Sequence, residues 1–151
     1  MKRYIGASAV EMGICVVVFL SAISLLVVVF NPSRKIEQKR NEIRTESVNS
    51  ISNAISRYIS DNGSGIITTI PTSDSCKGID NEICKTSAAS CDGYVDLSDI
   101  TDSGKYIANI PVDPNNRSQL GTGYHVVKNS SGVVTVCAPL AEQGIDISLS
   151  K

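Results

Sequence analysis

Hydrophobic and polar side chains divide this chain into one long apolar run and a mixed remainder. No charged side chain occurs between Met12 and Ser33, and about 20 such residues suffice for one bilayer crossing. Lys2 and Arg3 precede the run, and Glu11 lies at its entrance. A cleaved secretory signal has an apolar part of only about 7–15 residues, ending at a small-residue site. The pattern therefore predicts a helix that stays in the membrane.

A second helical pattern follows the apolar run. At about 100° per residue, its hydrophobic positions fall within one arc and its charged positions fall opposite. The arc consists of Ile36, Ile43, Val48, Ile51, Ala54, Ile55, Tyr58 and Ile59. Arg40 and Arg44 intrude on this arc, so we expect a core to cover only the turns from Val48 onward. Asn31-Pro32 predicts a kink or a restart before this helix, and Asp61-Asn62-Gly63 predicts its end.

Alternating hydrophobic positions later in the chain predict three antiparallel strands. Residues 124–128 and 133–138 flank a turn at 129–132, and alternate positions within 145–149 predict the third strand. The buried face of such a sheet needs a partner, and the apolar arc of the long helix supplies one. The predicted fold class is α+β, with a long N-terminal helix packed on a small antiparallel sheet.

The segment between the long helix and the strands has the composition of a loop. Residues 64–92 are rich in Ser, Thr, Gly and Asp and contain three cysteines, which predicts a loop held by disulfides. A short helix is expected near Asp99 within residues 97–107. Two prolines make residues 110–116 extended and then turned.

Composition and charge narrow the class of protein. Of the 151 residues, 42% are hydrophobic and 19% are charged, which is too apolar for a disordered chain. The formal net charge is -1, but residues 34–57 carry six basic and three acidic side chains, whereas residues 61–151 carry six basic and eleven acidic ones. A basic stem thus precedes an acidic head. The charge of the head disfavours nucleic-acid binding, including DNA capture, because such binding depends on cationic contacts to phosphates.

Four of the five cysteines, Cys76, Cys84, Cys91 and Cys137, lie in the polar part of the chain, and Cys15 lies in the apolar run. Four cysteines in a small, loop-rich region predict two disulfides formed in an oxidising compartment, with three possible connectivities. A zinc site is the alternative, but it requires close pairs such as Cys-x-x-Cys, and the gaps here are longer. We expect Cys91 to pair with Cys137, tying the middle of the head to its sheet, and Cys76 to pair with Cys84.

Side chains suited to catalysis or metal binding form no recognisable motif, so we predict neither enzymatic activity nor a resident metal or cofactor. His125 is the only imidazole and lies in a predicted strand, and no Ser or Cys has a nucleophile signature around it. The acids of the head lack the glycine and terminal glutamate of a calcium loop, so we expect them to cap helices or face solvent. These acids are Asp92, Asp96, Asp99 and Asp102.

The beginning of the chain has a specific arrangement. Lys2, Arg3 and Gly6 form a short leader, and Glu11 is the fifth residue after Gly6. This leader, followed by an uninterrupted apolar run, resembles the class III leader of type IV pilins and of the pseudopilins of type II secretion. The resemblance departs from the family at Ala7, where Phe or Met is usual.

Later segments are also similar to this family, so that the resemblance covers most of the chain. They are Asn31-Pro32-Ser33, Gln38, Arg40, Ile51, Ile55, Tyr58, Asp61-Asn62-Gly63, Ile110-Pro111-Val112-Asp113-Pro114 and Gly123-Tyr124. The proline of Asn31-Pro32 comes about one helical turn later than the usual proline of the family. The resemblance divides the chain into a leader at 1–6, a membrane and assembly helix at 7–30, a stem at 31–61 and an exposed head at 62–151.

The resemblance also implies how the chain is processed and what it builds. A prepilin peptidase would cut after Gly6 and methylate the new amino terminus of Ala7. Glu11, an acid at the membrane level, needs a partner or a shallow position, and we expect it to pair with the Ala7 ammonium of the next copy. Such a head-to-tail contact does not close, so it propagates into a helical filament of this chain. The further partners are the pilus assembly machinery and, before assembly, membrane lipid.

Other interpretations stay open at this stage. A minor pilin, or a pseudopilin of a secretion or DNA-uptake machine, would have the same sequence features, and a membrane-tethered binding module would keep its leader. By analogy with pseudopilin heads, Asp113, Asn115 or Asp146 could hold calcium. The basic residues after the apolar run favour a cytoplasmic head by the positive-inside tendency. The cysteines and the leader favour a head outside the cytoplasm, which is our prediction.

Overall fold

A computed structural model describes residues 8–29, 32–63 and 68–151. Its contacts divide the chain into a unit that ends at Ile36 and a unit that begins at Glu37. The predicted leader, the cut after Gly6 and the new terminus at Ala7 lie outside the described residues. So does Asn31, and with it the predicted kink or restart before Pro32.

Helix α1 spans Ala9–Val29. The apolar side chains described on it, among them Val18 and Leu20, are exposed. Ser21 and Ser24 donate their hydroxyl hydrogens to the carbonyls of Val18 and Leu20, at 2.8 and 2.9 Å, so neither hydroxyl requires a partner outside the helix. Within the described ranges, no helix combines the length and the apolarity needed to cross a bilayer.

Helix α2 spans Pro32–Asn62. Proline is tolerated at the first helical position because it has no N–H to leave unpaired there. The helix ends as predicted, because Gly63 adopts a left-handed φ of 76° and its N–H donates to the carbonyl of Ile59 at 2.9 Å. Glycine suits this closing position because it has no Cβ to clash.

Four antiparallel strands form one sheet in the order β1-β2-β3-β4. They are β1 at Glu82–Cys84, β2 at Gly121–Lys128, β3 at Val134–Cys137 and β4 at Ser148–Ser150. The first two predicted strands are confirmed, as is the turn between β2 and β3. The third, predicted at 145–149, begins only at Ser148, because residues 145–147 belong to the preceding loop. β1 was not predicted, because it occupies three residues of a segment that has the composition of a loop. The short helix expected near Asp99 is α3, Ser98–Thr101.

The hydrophobic core lies between α2 and the sheet, which gives the α+β fold of a long helix packed on an antiparallel sheet. From α2 it takes Val48, Ile51, Ala54 and Ile55; from β2 and β3 it takes Tyr124, Val126, Val134 and Val136. The intervening segment contributes Ile70, Ile83, Val95, Leu97, Ile100 and Ile110, and Ala138 and Ile147 complete the core. The apolar core therefore begins at Val48, as predicted. The structure differs in that polar side chains before Val48 are buried as well, namely Asn41, Ser47 and, completely, Arg44.

Two disulfides close the head, but the predicted pairing was wrong. Cys76 is bonded to Cys137, and Cys84 is bonded to Cys91. The reason is the position of β1, which was not foreseen. Cys84 ends this strand and lies beside the short loop that contains Cys91, whereas the segment containing Cys76 crosses β2 and reaches the end of β3. Cys15 is a free, exposed cysteine on α1.

Candidate functional site

The first candidate site is the beginning of α1, where Ser8 and Glu11 cap the helix reciprocally. The N–H of Ser8 donates to Oε2 of Glu11 at 2.8 Å, and the N–H of Glu11 donates to Oγ of Ser8 at 3.3 Å. This is a capping box, which satisfies N–H groups that have no partner inside the helix. Glu11 thus has a partner within its own chain. Ser8 was not among the predicted site residues, although Ser-x-x-Glu is the sequence signal of such a box.

The second candidate site is an ionic cluster of Arg40, Asn41, Arg44, Asp113 and Glu142 in the C-terminal unit. At its centre, Arg44 donates from Nε to Oδ2 of Asp113 at 2.6 Å and from Nη2 to Oδ1 at 3.1 Å. Both side chains have 0% exposure. Burial lowers the pKa of Arg44, but its hydrogen bonds to Asp113 and Glu142 more than offset this effect and keep it raised. The guanidinium is therefore a buried, paired cation.

Glu142 connects Arg44 to the surface. Its Oε2 accepts a hydrogen bond from Nη1 of Arg44 at 2.7 Å and another from Nε of Arg40 at 2.6 Å, and its Oε1 accepts one from Nη2 of Arg40. Its backbone is held as well, because Asn41 exchanges hydrogen bonds of 2.9 and 3.0 Å with the carbonyl and N–H of Glu142. The bonds from Arg40 and then those from Arg44 lower the pKa of Glu142 to about 2.

This pKa makes the stability of the head depend on pH at the acidic end. The carboxyl of Glu142 titrates at about 2 instead of its ordinary 4.5, so the folded chain favours the ionised form. A group with a lowered pKa contributes its stabilisation above the unfolded-state value, and this contribution disappears as the pH falls through the folded-state value. We expect the free energy of unfolding of the wild type to exceed that of Glu142→Gln by a constant margin above about pH 5. This margin should shrink as the pH falls towards about 2. Denaturant unfolding at a series of pH values measures this margin, and an unchanged margin at the acidic end contradicts the assignment.

A tight loop positions Asp113 for Arg44. The N–H of Asp113 donates to the carbonyl of Thr122 at 2.8 Å, and the N–H of Asn115 donates to Oδ1 of Asp113 at 2.7 Å. Gly123 allows this close approach, because a Cβ there would lie 2.8 Å from Cβ of Asp113 and its φ is +81°. The Pro-Val-Asp-Pro and Gly-Tyr segments thus form the site that receives the arginine.

The residues considered for calcium do not form a metal site in the described ranges. Both carboxylate oxygens of Asp113 accept hydrogen bonds from Arg44, and Asp146 pairs with Lys77 at 3.3 Å. No group of three or more His, Cys, Asp or Glu side chains in those ranges could hold a metal ion. Asp113 serves the ionic cluster instead, which argues against the calcium hypothesis.

The remaining candidate side chains have local partners. Nδ1 of His125 on β2 lies 3.1 Å from the carbonyl of Cys76, and burial lowers the pKa of its imidazole. Oδ1 of Asp96 accepts the N–H of Ser98 at 2.8 Å at the start of α3, but the N-cap position of this helix is Leu97, which makes no side-chain cap bond. Oδ2 of Asp92 accepts the hydroxyl of Ser90 at 2.7 Å. Asp99 and Asp102 are exposed.

The predicted site residues in the described ranges belong to both units of the chain. Glu11 lies at the start of α1, and the four head cysteines lie in the C-terminal unit. Arg44 and Glu142 were not predicted as site residues, because their partnership joins positions 98 residues apart. Comparison of the chain with protein-family models, with curated proteins and with solved structures finds no match.

Proposed function

We propose that this chain is the structural subunit of a type IV pilus-like extracellular filament. Its helix over residues 7–30 would hold it in the membrane with the head outside the cytoplasm. A prepilin peptidase would cut it after Gly6, and the assembly machinery would draw it into a filament of many copies. The observation that carries the proposal is Glu11, an acid five residues after Gly6 at the start of a helix that is otherwise free of charge as far as Val29.

The exposed apolar surface of α1 supports a role in which the helix is surrounded by apolar material. Val10, Val17 and Phe19 are 71%, 67% and 68% exposed, and burying such side chains is favourable by about 1.5–3 kcal/mol each. Lipid would cover them before assembly, and the α1 helices of neighbouring copies would cover them in a filament. The internal hydrogen bonds of Ser21 and Ser24 suit both settings, because neither hydroxyl needs water.

Glu11 supplies the directional element of the proposed assembly. Cleavage after Gly6 would create an ammonium on Ala7, and a carboxylate and an ammonium attract each other strongly away from water. If Glu11 of one copy meets Ala7 of the next, the contact joins two different surfaces and does not close. The product is a filament whose axial spacing is set by that pair.

The decisive experiment replaces Glu11 by Val in the full-length chain, expressed in cells that assemble the wild type. We expect the variant to insert in the membrane and to be absent from sheared filaments, because the partner of the Ala7 ammonium is lost. Electron microscopy and immunoblotting of the sheared fraction measure this. The matched control is Glu46→Val, which removes an exposed acid from α2 and should leave filaments intact.

Two outcomes would contradict the proposal. One is a Glu11→Val chain that assembles as wild type does. The other is an intact mass of the wild-type protein that still includes residues 1–6, since processing must precede pairing. A mass reduced by the leader and increased by one methyl group is the expected result. Abundance in the sheared fraction then separates a major subunit from a minor pilin or a pseudopilin.

A membrane-tethered module that never polymerises is the second candidate, and the capping box favours it. The carboxylate of Glu11 already accepts the N–H of Ser8 at 2.8 Å, so a shallow acid of this kind is satisfied without a second copy. In such a module the leader would persist, and replacing Glu11 would change only the stability of the first turn of α1, by about 0.5–2 kcal/mol. The mass measurement distinguishes the two candidates directly.

A further inference from the structure

Helix α2 is attached to the head by two different kinds of contact. From Val48 onward its buried side chains are mainly apolar and belong to the core. Between residues 37 and 47 the buried side chains are Asn41, Arg44 and Ser47, whereas Ile43 is 38% exposed. The part of α2 from Val48 onward is therefore held by hydrophobic burial, and residues 37–47 are held by polar contacts.

The polar contacts converge on one loop, residues 139–147, which we call the strap. Arg40, Asn41 and Arg44 all hydrogen-bond to Glu142 of the strap. Nε2 of Gln143 donates to Oε2 of Glu37 at 3.1 Å. Arg44 is bonded in addition to Asp113, which lies outside the strap. Glu142 is thus the centre on which the attachment of the strap depends.

Among the other contacts of the strap, Ala141 packs against the core while partly exposed, and the ion pair between Asp146 and Lys77 is largely exposed. Leu140 and Ile145 are 41% and 49% exposed, and only Ile147 at its end is buried. Gln143 adopts a left-handed φ of 61°, a conformation that costs a residue other than glycine about 1 kcal/mol or more. Such strain persists where surrounding contacts hold it in place, and here those contacts are the ones centred on Glu142.

Both ends of the strap are fixed more firmly than its middle. Before it, Cys137 is bonded to Cys76, and the N–H of Ala138 donates to the carbonyl of Ile147 at 2.9 Å. After it, β4 pairs with β3. Between the strap and α2 lies a groove with a volume of about 310 Å³, lined by Gln38, Asn41, Glu42, Thr45, Ile145 and Ile147. Movement of the middle of the strap would widen this groove without breaking the sheet.

We propose that the strap acts as a latch. It is held closed by the ion pairs of Glu142 with Arg40 and Arg44, and when these break it opens as a unit while the core from Val48 onward stays folded. Opening exposes the side of α2 that carries Asn41 and leaves α2 tied to the head through Arg44 and Asp113. The latch is a property of the folded head and stands whether or not the chain polymerises. In a filament, an open latch would let residues 37–47 of α2 move relative to the strap when neighbouring copies pull on the helix.

Hydrogen–deuterium exchange on the full-length chain in detergent micelles tests the latch. The variants are Glu142→Gln, which removes the charge from the lock, and Glu46→Gln, which removes an exposed charge from the same helix. We expect the amides of the strap, including Ala141, Glu142 and Ile145, to exchange about 10- to 100-fold faster in Glu142→Gln, because a hydrogen-bonded ion pair is lost. Amides of residues 51–59 and 124–127 should accelerate only as far as the variant's loss of global stability requires and should stay better protected than the strap. Glu46→Gln should match wild type throughout.

Hydrogen–deuterium exchange of the wild type alone is a second, independent test, because it does not require the variant to fold. Its strap amides should exchange through a more frequent opening than the core amides, under conditions in which both report equilibrium openings. Equal rates for the strap and the core in wild type overturn the proposal. So does a folded Glu142→Gln chain whose strap keeps wild-type rates, or one in which the strap and the core are equally protected.

Discussion

Replacing Arg44 by Met is expected to lower the free energy of unfolding of the chain by about 3–5 kcal/mol, the cost of breaking a buried ion pair by removing one partner. Arg44 and Asp113 both have 0% exposure, so the carboxylate of Asp113 cannot gain water in compensation. Glu142 loses its bond from Arg44 but keeps Arg40 and partial exposure. The unpaired buried charge on Asp113 is therefore the main source of the loss.

Chemical denaturation of wild type and variant, followed by circular dichroism, measures this loss. Arg57→Met is the matched control, because Arg57 is an exposed arginine on the same helix; substitutions of this kind change stability by less than about 0.5 kcal/mol. A second substitution, Asp113→Asn, should recover part of the loss in the Arg44→Met background by removing the unpaired charge. If Arg44→Met is no less stable than Arg57→Met, Arg44 is not buried as the structure has it.

Removing the disulfide between Cys76 and Cys137, by replacing both residues with Ser, is expected to cost about 4 kcal/mol in the chain-entropy model. The bond joins positions 61 residues apart, so it removes much conformational freedom from the unfolded chain. The bond between Cys84 and Cys91 spans 7 positions, and the same model gives about 2.5 kcal/mol for its removal. The long-range bond is expected to matter more.

Denaturant unfolding of the two double-serine variants compares these losses, and peptide mapping under non-reducing conditions identifies the bonds. Linked peptides containing Cys76 with Cys137 and Cys84 with Cys91 are expected. A peptide linking Cys91 to Cys137 would contradict the structure, and so would a Cys84→Ser/Cys91→Ser variant that loses more stability than Cys76→Ser/Cys137→Ser. Both experiments use the full-length chain.

Much of the head could be predicted because its elements have local signals. The apolar arc of α2 repeats over several turns, and its end is marked by Asn62 and Gly63. β2 and β3 alternate hydrophobic and polar residues on either side of a turn in which Oδ1 of Asn129 accepts the N–H groups of Ser131 and Val133, both at 2.9 Å. Each of these features depends on residues close together in the chain, so periodicity and turn chemistry suffice to predict them.

β1 and the disulfide pairing could not be predicted in this way. Three residues, Glu82, Ile83 and Cys84, show no alternation long enough to distinguish a strand from the loop around it. They form a strand because β2 offers them hydrogen bonds and the core takes the side chain of Ile83, which is completely buried. Once β1 is in place, it determines which cysteine lies beside Cys91.

The sequence by itself determined that this chain has a long charge-free segment, an amphipathic helix, an acidic head with antiparallel strands, and one acid at the start of its apolar helix. These are properties of neighbouring residues, whose spacing alone sets the side of an element on which they lie. Only the tertiary structure decided that Arg44 belongs inside the head. A charge in an apolar arc is unfavourable until Asp113, 69 positions away, and Glu142, 98 positions away, reach it. Burial of a cation depends on partners that only the folded chain brings together.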